Sequence, residues 1–144
     1  MSGDLRRNAP DAIIKVDLDE RAFLFPHPKQ VTQLQVQAYK PDKIRIEAVF
    51  AFNEAKSNNE LMDISLEDAR DLSRKLVETV YRAQSSLIVS KETSIAINVV
   101  ANGYIFQFGD MTTPRELFLS TACIWRVCNA IARATDFISP NSAH

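Results

Sequence analysis

Apolar and polar residues alternate through several stretches of this chain and recur at helical spacing in two others. Residues 12–18, AIIKVDL, read as a strand. AFLF (22–25) is a short apolar segment that stops at Pro26-His27-Pro28, where two prolines force an extended loop. Across 31–52, Leu34, Val36 and Ala38 alternate with glutamines, and Ile44, Ile46, Ala48, Phe50 and Phe52 alternate on a return strand. This predicts a hairpin. A two-residue Pro41-Asp42 loop would set Val36 against Glu47 and Ala38 against Arg45. One more loop residue pairs Ala38 with Ile46, Val36 with Ala48 and Leu34 with Phe50. The core selects that second register, because a one-residue slip turns every side chain to the other face.

Residues 94–109 predict a second hairpin about a type I′ Asn102-Gly103 turn, with pairs Ala101–Tyr104, Val99–Phe106 and Ile97–Phe108. One face of this hairpin is strongly apolar. The other carries Asn98 and Gln107, but also Val100 and Ile105. Between the hairpins, the polar and unperiodic segment 53–63 reads as a surface loop. Ser65 then caps a helix, with Asp68 completing an approximate capping box. Ala69, Leu72, Leu76, Val80 and Ala83 form its apolar stripe over 66–84, and Asp71–Lys75 and Glu78–Arg82 are favourable pairs on the wet side. SSLIVS (85–90) fits either a helix tail or a short strand.

The segment 112–134, TTPRELFLSTACIWRVCNAIARA, predicts the last helix. Thr113 is its N-cap, Pro114 its first residue, and Glu116 closes a capping box; it ends near 135–137. Leu117, Ile124, Val127, Cys128 and Ile131 make one stripe, and Phe118 and Trp125 lie roughly 90° round from it. Arg115, Arg126 and Arg133 share a narrow polar stripe. The apolar arc covers about 200°, against roughly 100° for a one-sided surface helix. The excess is either buried in the same fold or left as a docking edge at Phe118 and Trp125.

Consecutive strands joined by tight turns, with two amphipathic helices, predict an α+β two-layer sandwich. Its antiparallel sheet has about five to six strands and carries both main helices on one face. Residues 12–138 form the single domain, between flexible tails at 1–11 and 139–144. The length of 144 residues suits one domain with a real core.

Composition narrows the chemistry. The only glycines are Gly3, Gly103 and Gly109, so neither a phosphate-cradling loop nor a dinucleotide fingerprint is present. A net charge of −1 gives no global attraction to nucleic acid or anionic membrane. No apolar run spans a bilayer and the start lacks a signal-peptide pattern, so the chain reads as soluble and cytoplasmic. Cys123 and Cys128, five apart on a helix, sit roughly 8–9 Å apart at Cα, beyond disulfide reach. They read as small core hydrophobes.

His27 could serve as a general base, and Asp17, Asp19 and Glu20 could bind a cation or work as acid and base. The commoner roles of such residues are a plain loop histidine and a polar strand end. Lys40, Lys43, Arg45, Arg70, Arg74 and Tyr81 are the groups a nucleic-acid surface would use. Yet the helix over 66–84 balances Glu67, Asp68, Asp71 and Glu78 against Arg70, Arg74, Lys75 and Arg82. No catalytic, cofactor or metal constellation stands out. The leading expectation is a non-catalytic protein-binding, adaptor or chaperone-like module. It would be a homodimer joined through the last helix or the outer sheet face, with Phe118, Trp125, Val100 and Ile105 at the interface. The alternatives are a small enzyme or ligand-binding domain with a pocket between sheet and last helix, and a nucleic-acid-binding protein.

Overall fold

The computed structural model describes residues 9–18, 21–25, 29–50, 59–84, 86–89, 94–108 and 115–139. Among these, the strands are β1 (Ala12–Asp17), β2 (Phe23–Phe25), β3 (Lys29–Tyr39), β4 (Lys43–Phe50), β5 (Asn59–Ser65), β6 (Ser86–Val89), β7 (Ser94–Val100), β8 (Gly103–Phe108) and β9 (Arg115–Ser120). The helices are α1 (Leu66–Arg82) and α2 (Thr121–Ile138). The strands form one antiparallel sheet in the order β5-β4-β3-β2-β9-β8-β7-β6, and β1 also pairs with β3.

The α+β class and the antiparallel sheet agree with the sequence reading. The flat sandwich of five to six strands does not: the sheet has nine strands among the described residues and curls into a half-barrel. β3 is its spine. Ala12 to Asp17 of β1 face Ala38 to Gln33, and Phe23 and Leu24 of β2 face Gln30 and Lys29 on the same edge of β3. The Leu18 N–H donates to the Thr32 carbonyl at 2.9 Å and the Val31 N–H to the Ala22 carbonyl at 2.8 Å. β1 and β2 are therefore one interrupted strand. Beyond the interruption, β2 passes the sheet on to β9, while no second strand among the described residues pairs with the other edge of β1.

Two strands were not foreseen. Residues 59–63, expected in a loop, belong to β5. Its pairing with β4 steps from Ile46↔Met62 to Glu47↔Glu60 and leaves Leu61 as an extra residue. This bulge turns Leu61 and Met62, neighbours in sequence, both into the core. The alternation that would announce a strand is broken there. Residues 115–120, expected as the first turns of the last helix, are β9. Leu117 and Leu119 point inward between β2 and β8, and Phe118 points outward. Pairing on both edges outweighs the weak helix signal of Pro114 and Glu116. The N-cap of α2 is Ser120.

Both predicted hairpins exist, each with its register moved by two residues. Tyr39 pairs with Lys43 around a three-residue loop, and Ala38 faces Ile44, Val36 faces Ile46 and Leu34 faces Ala48. In the second hairpin Val100 pairs with Gly103, Val99 with Tyr104 and Ile97 with Phe106. The turn residues are Ala101 and Asn102, and Asn102 holds the positive φ of 70°. A slip of two preserves the side-chain faces, so the core is the predicted one.

α1 behaves as expected. The Ser65 hydroxyl accepts from the Asp68 N–H at 3.0 Å, and Ala69, Leu72 and Leu76 are buried, joined by Thr79. Ala83 is not part of its stripe but a left-handed C-cap. Both helices pack against the inner face of the sheet and against each other. The core is built from Val31, Leu34, Val36 and Ile44 below and Leu72, Leu76, Ile124, Val127 and Ile131 above. Each such side chain contributes about 1.5–3 kcal/mol by leaving water.

Candidate functional site

The outer face of the sheet divides into two chemically distinct halves. On β1, β3, β4 and β5 it is mostly polar and internally bonded, with Ile13 and Val49 as apolar exceptions. Gln33 Nε2 donates to Asp17 Oδ1 at 3.2 Å, Gln35 Nε2 to Gln33 Oε1 at 3.3 Å, and Gln37 Nε2 to Gln35 Oε1 at 3.1 Å and Glu47 Oε1 at 3.0 Å. The Tyr39 hydroxyl donates to Gln37 Oε1 at 2.9 Å, and Arg45 pairs with Asp63 at 3.0 Å while stacking on the Tyr39 ring. Gln37 is only 5% exposed because these neighbours lie across it. Polar groups so connected keep this half hydrophilic and rigid.

On β2, β9, β8 and β7 the outer face is mixed: Gln107 Nε2 donates to Glu116 Oε2 at 3.5 Å and Asn98 lies beside Ile105, but one end of it is an apolar cluster. Phe118 faces Phe23 on one side and Ile105 on the other. Val100 faces Gly103, the next outward position along β8. All four apolar side chains are half-buried. The Phe118 ring lies directly over Gly103, where an added Cβ would come 2.8 Å from the ring and run into the Leu119 carbonyl oxygen. Gly103 is thus fixed by close approach. Three of the four residues expected at an interface, Phe118, Ile105 and Val100, therefore gather on one surface, though not by the route expected. Phe118 reaches it from a strand.

Trp125 does not join them. It lies on the exposed side of α2 at 48% exposure, and α2 covers the opposite, inner face of the sheet. The wide apolar arc assigned to the last helix counted Leu117 and Phe118, which are not helical. Within α2 itself, Ile124, Val127, Cys128 and Ile131 are buried as expected, with Cys123, Ala130 and Ala134. Phe23 was missed, although the alternation within AFLF places it on the face opposite Leu24.

The remaining candidates separate. His27, Asp19 and Glu20 lie outside the described residues. Asp17 ends β1: its carboxylate accepts from Gln33, and its carbonyl accepts from Arg126 Nη1 at 2.7 Å. Among the described residues, no group of three or more His, Cys, Asp or Glu side chains is placed to hold a metal ion. Cys123 and Cys128 are buried free thiols. Burial pushes the Cys128 thiol up from 9.0 to about 11, against a smaller opposing effect of a backbone hydrogen bond, so it is a poor nucleophile. Arg126 and Arg133 occupy the polar stripe foreseen for them and line a shallow cleft beside β1. No helix among the described residues is long and apolar enough to cross a membrane.

With the curled sheet and its two helices defined, known structures become informative. The chain is similar in fold to an SsgA-like sporulation-specific cell division protein from Thermobifida fusca YX-ER1. The match covers 91% of this chain and 83% of that one, with a TM-score of 0.52 and 12% sequence identity. At that identity it speaks for a shared fold. A second structure, of SsgB, whose mutations correlate with longitudinal cell division during sporulation of Streptomyces coelicolor, aligns over 93% of this chain and 94% of its own. Its TM-score is 0.46 and its identity 11%. No protein-family model matches the chain, and no curated protein matches it.

Proposed function

We propose that this chain is a non-catalytic, cytoplasmic protein-binding module that acts as a homodimer through the outer face of β2, β9, β8 and β7. The observation that carries this reading is the placement of Phe118 between Phe23 and Ile105, with Val100 beside them, on a face that no other element of the described chain covers. Aromatic residues on a contiguous apolar surface are what interface cores use. The polar half of the same sheet, closed on itself by hydrogen bonds, supplies the contrast that an interface boundary needs. The protein of similar fold from Thermobifida fusca is described as a sporulation-specific cell division protein, and a part in cell division fits a module without catalytic machinery.

Sedimentation analysis of the full chain tests the proposal. The wild type is expected to sediment as a dimer, and Phe118→Glu and Ile105→Lys each as a monomer with an unchanged far-UV circular dichroism spectrum. A wild type that stays monomeric at high concentration overturns it, as does a dimer indifferent to Ile105→Lys. Trp125→Ala, on the far side of the sheet, is expected to leave the dimer intact.

A further inference from the structure

Among the described residues, β1 pairs with another strand along one edge only, the edge facing β3. The Leu18 N–H donates to the Thr32 carbonyl in the same register that pairs Ala12 with Ala38. In an antiparallel ladder, this assigns the backbone groups of residues 12, 14, 16 and 18 to β3 and turns those of Ile13, Lys15 and Asp17 the other way. One outward group is already used, since the Asp17 carbonyl accepts from Arg126. The N–H and C=O of Ile13 and of Lys15 and the N–H of Asp17 remain. Among the described residues, no second strand pairs with this edge.

The edge forms one wall of a cleft whose lining runs from Ile14 to Asp17 and, on α2, includes Arg126, Asn129, Ala130 and Arg133. Lys15, Arg126, Asn129 and Arg133 are all exposed. Two cations, Arg126 and Arg133, thus stand on the α2 side of the cleft, whereas Lys15 and Asp17 alternate with the inward Ile14 and Val16 and share the outer face, where Asp17 is turned to Gln33.

We propose that this cleft captures an extended acidic segment of a partner protein, which adds to β1 as a further strand while the carboxylates on its inner face meet Arg126 and Arg133. The backbone edge supplies the register and the cations supply the choice of sequence. Two other occupants fit less well. A nucleic-acid backbone brings phosphate acceptors for the cations but no row of donors for the outward carbonyls of β1. A second copy of this chain, paired edge to edge, would set Lys15 and the two arginines near their own counterparts, and like charges opposed across strands are destabilising. The site is separate from the apolar face assigned to the dimer, so either proposal can fail alone.

The test is fluorescence anisotropy on the full chain with a labelled octapeptide of alternating valine and glutamate. Three further probes accompany it: the same peptide with lysine for glutamate, the glutamate peptide N-methylated at alternate backbone nitrogens, and a labelled oligothymidylate. The glutamate peptide is expected to bind and to weaken as salt rises. N-methylation, which deletes the ladder donors and leaves the charge, is expected to lower affinity about tenfold or more. Lys15→Pro removes an outward N–H without touching the bonds to β3 and is expected to act in the same direction, with Lys15→Gln measuring the charge alone. Arg133→Glu is expected to weaken binding about threefold to tenfold. Equal binding of the N-methylated or lysine peptide overturns the proposal. So does preferential binding of oligothymidylate, or no binding of the glutamate peptide up to about 1 mM.

Discussion

The guanidinium of Arg115, at the start of β9, donates to the backbone carbonyl of Leu61 on β5 at 2.9 Å. The two strands are far apart in the order of the sheet, and the sheet must curl to bring them together. Leu61 is the extra residue of a bulge, and a bulge frees a carbonyl that the ladder would otherwise use. Arg115 also lies over the ring of Phe108, its cross-strand partner, with 5.0 Å from guanidinium to centroid. One side chain therefore helps hold the curvature of the half-barrel.

Replacing Arg115 by methionine keeps most of the apolar stem and deletes the donor. Stability is expected to fall by about 1–3 kcal/mol, because a half-buried charged donor leaves a carbonyl without its partner. Urea unfolding monitored by Trp125 fluorescence measures this. Arg133→Ala, on the exposed side of α2, is expected to change stability by about 0.5 kcal/mol or less.

Gly103→Ala places a methyl group against the Leu119 carbonyl and the Phe118 ring. The strand and its neighbour must shift, at an expected cost of about 1–3 kcal/mol. The double variant with Phe118→Ala should recover only the part of this loss due to the ring, since the carbonyl remains in the way. A double-mutant cycle by chemical denaturation separates the two contributions.

Ser65→Ala removes the hydroxyl that accepts from the Asp68 N–H. A loss of about 1 kcal/mol is expected, with Ser65→Asp retaining most of the stability through its own capping oxygen. Thermal melts of the three proteins in one buffer test the order.

Cys128 couples stability to alkaline pH. Its thiol stays protonated in the native protein up to about 11, whereas the unfolded chain ionises at 9.0. The stabilisation is fully present below pH 9.0 and is lost as pH rises through 11, since over that interval the unfolded state binds fewer protons. At about 1.4 kcal/mol per pKa unit, the loss amounts to roughly 3 kcal/mol at most. Denaturation of wild type and Cys128→Ala between pH 8 and 11 should show a shallower decline in the variant. A parallel decline in both excludes the coupling.

Much of this architecture is legible in the chain, and the misreadings have physical causes. The faces of both hairpins follow from alternation, since only one parity buries Val36 with Ile46 or Ile97 with Phe106. Alternation is blind to a slip of two, and both registers were misplaced by that amount. Gly103 draws the eye to the turn, yet Asn102 takes the positive φ and Gly103 makes room for Phe118. β5 hides because its bulge buries Leu61 and Met62 in succession. β9 hides because Pro114, Arg115 and Glu116 imitate a helix start, while the strands that claim Leu117 and Phe118 come from remote parts of the chain. The outward placement of Ile105 and Val100 was readable from the hairpin alone. That of Phe118 was not, because it depends on neighbours on both sides.

The eleven residues of β3 serve both arms of the curled sheet, taking β1 and β2 on one edge and β4 on the other. Neither arm can melt while the other stands without tearing this shared ribbon. Amide protons at Leu34 and Val36 should therefore exchange only through whole-molecule opening, and the slowest rates from the two arms should converge on one value. A fold drawn as two wings behaves, on this account, as a single cooperative unit hinged on its longest thread.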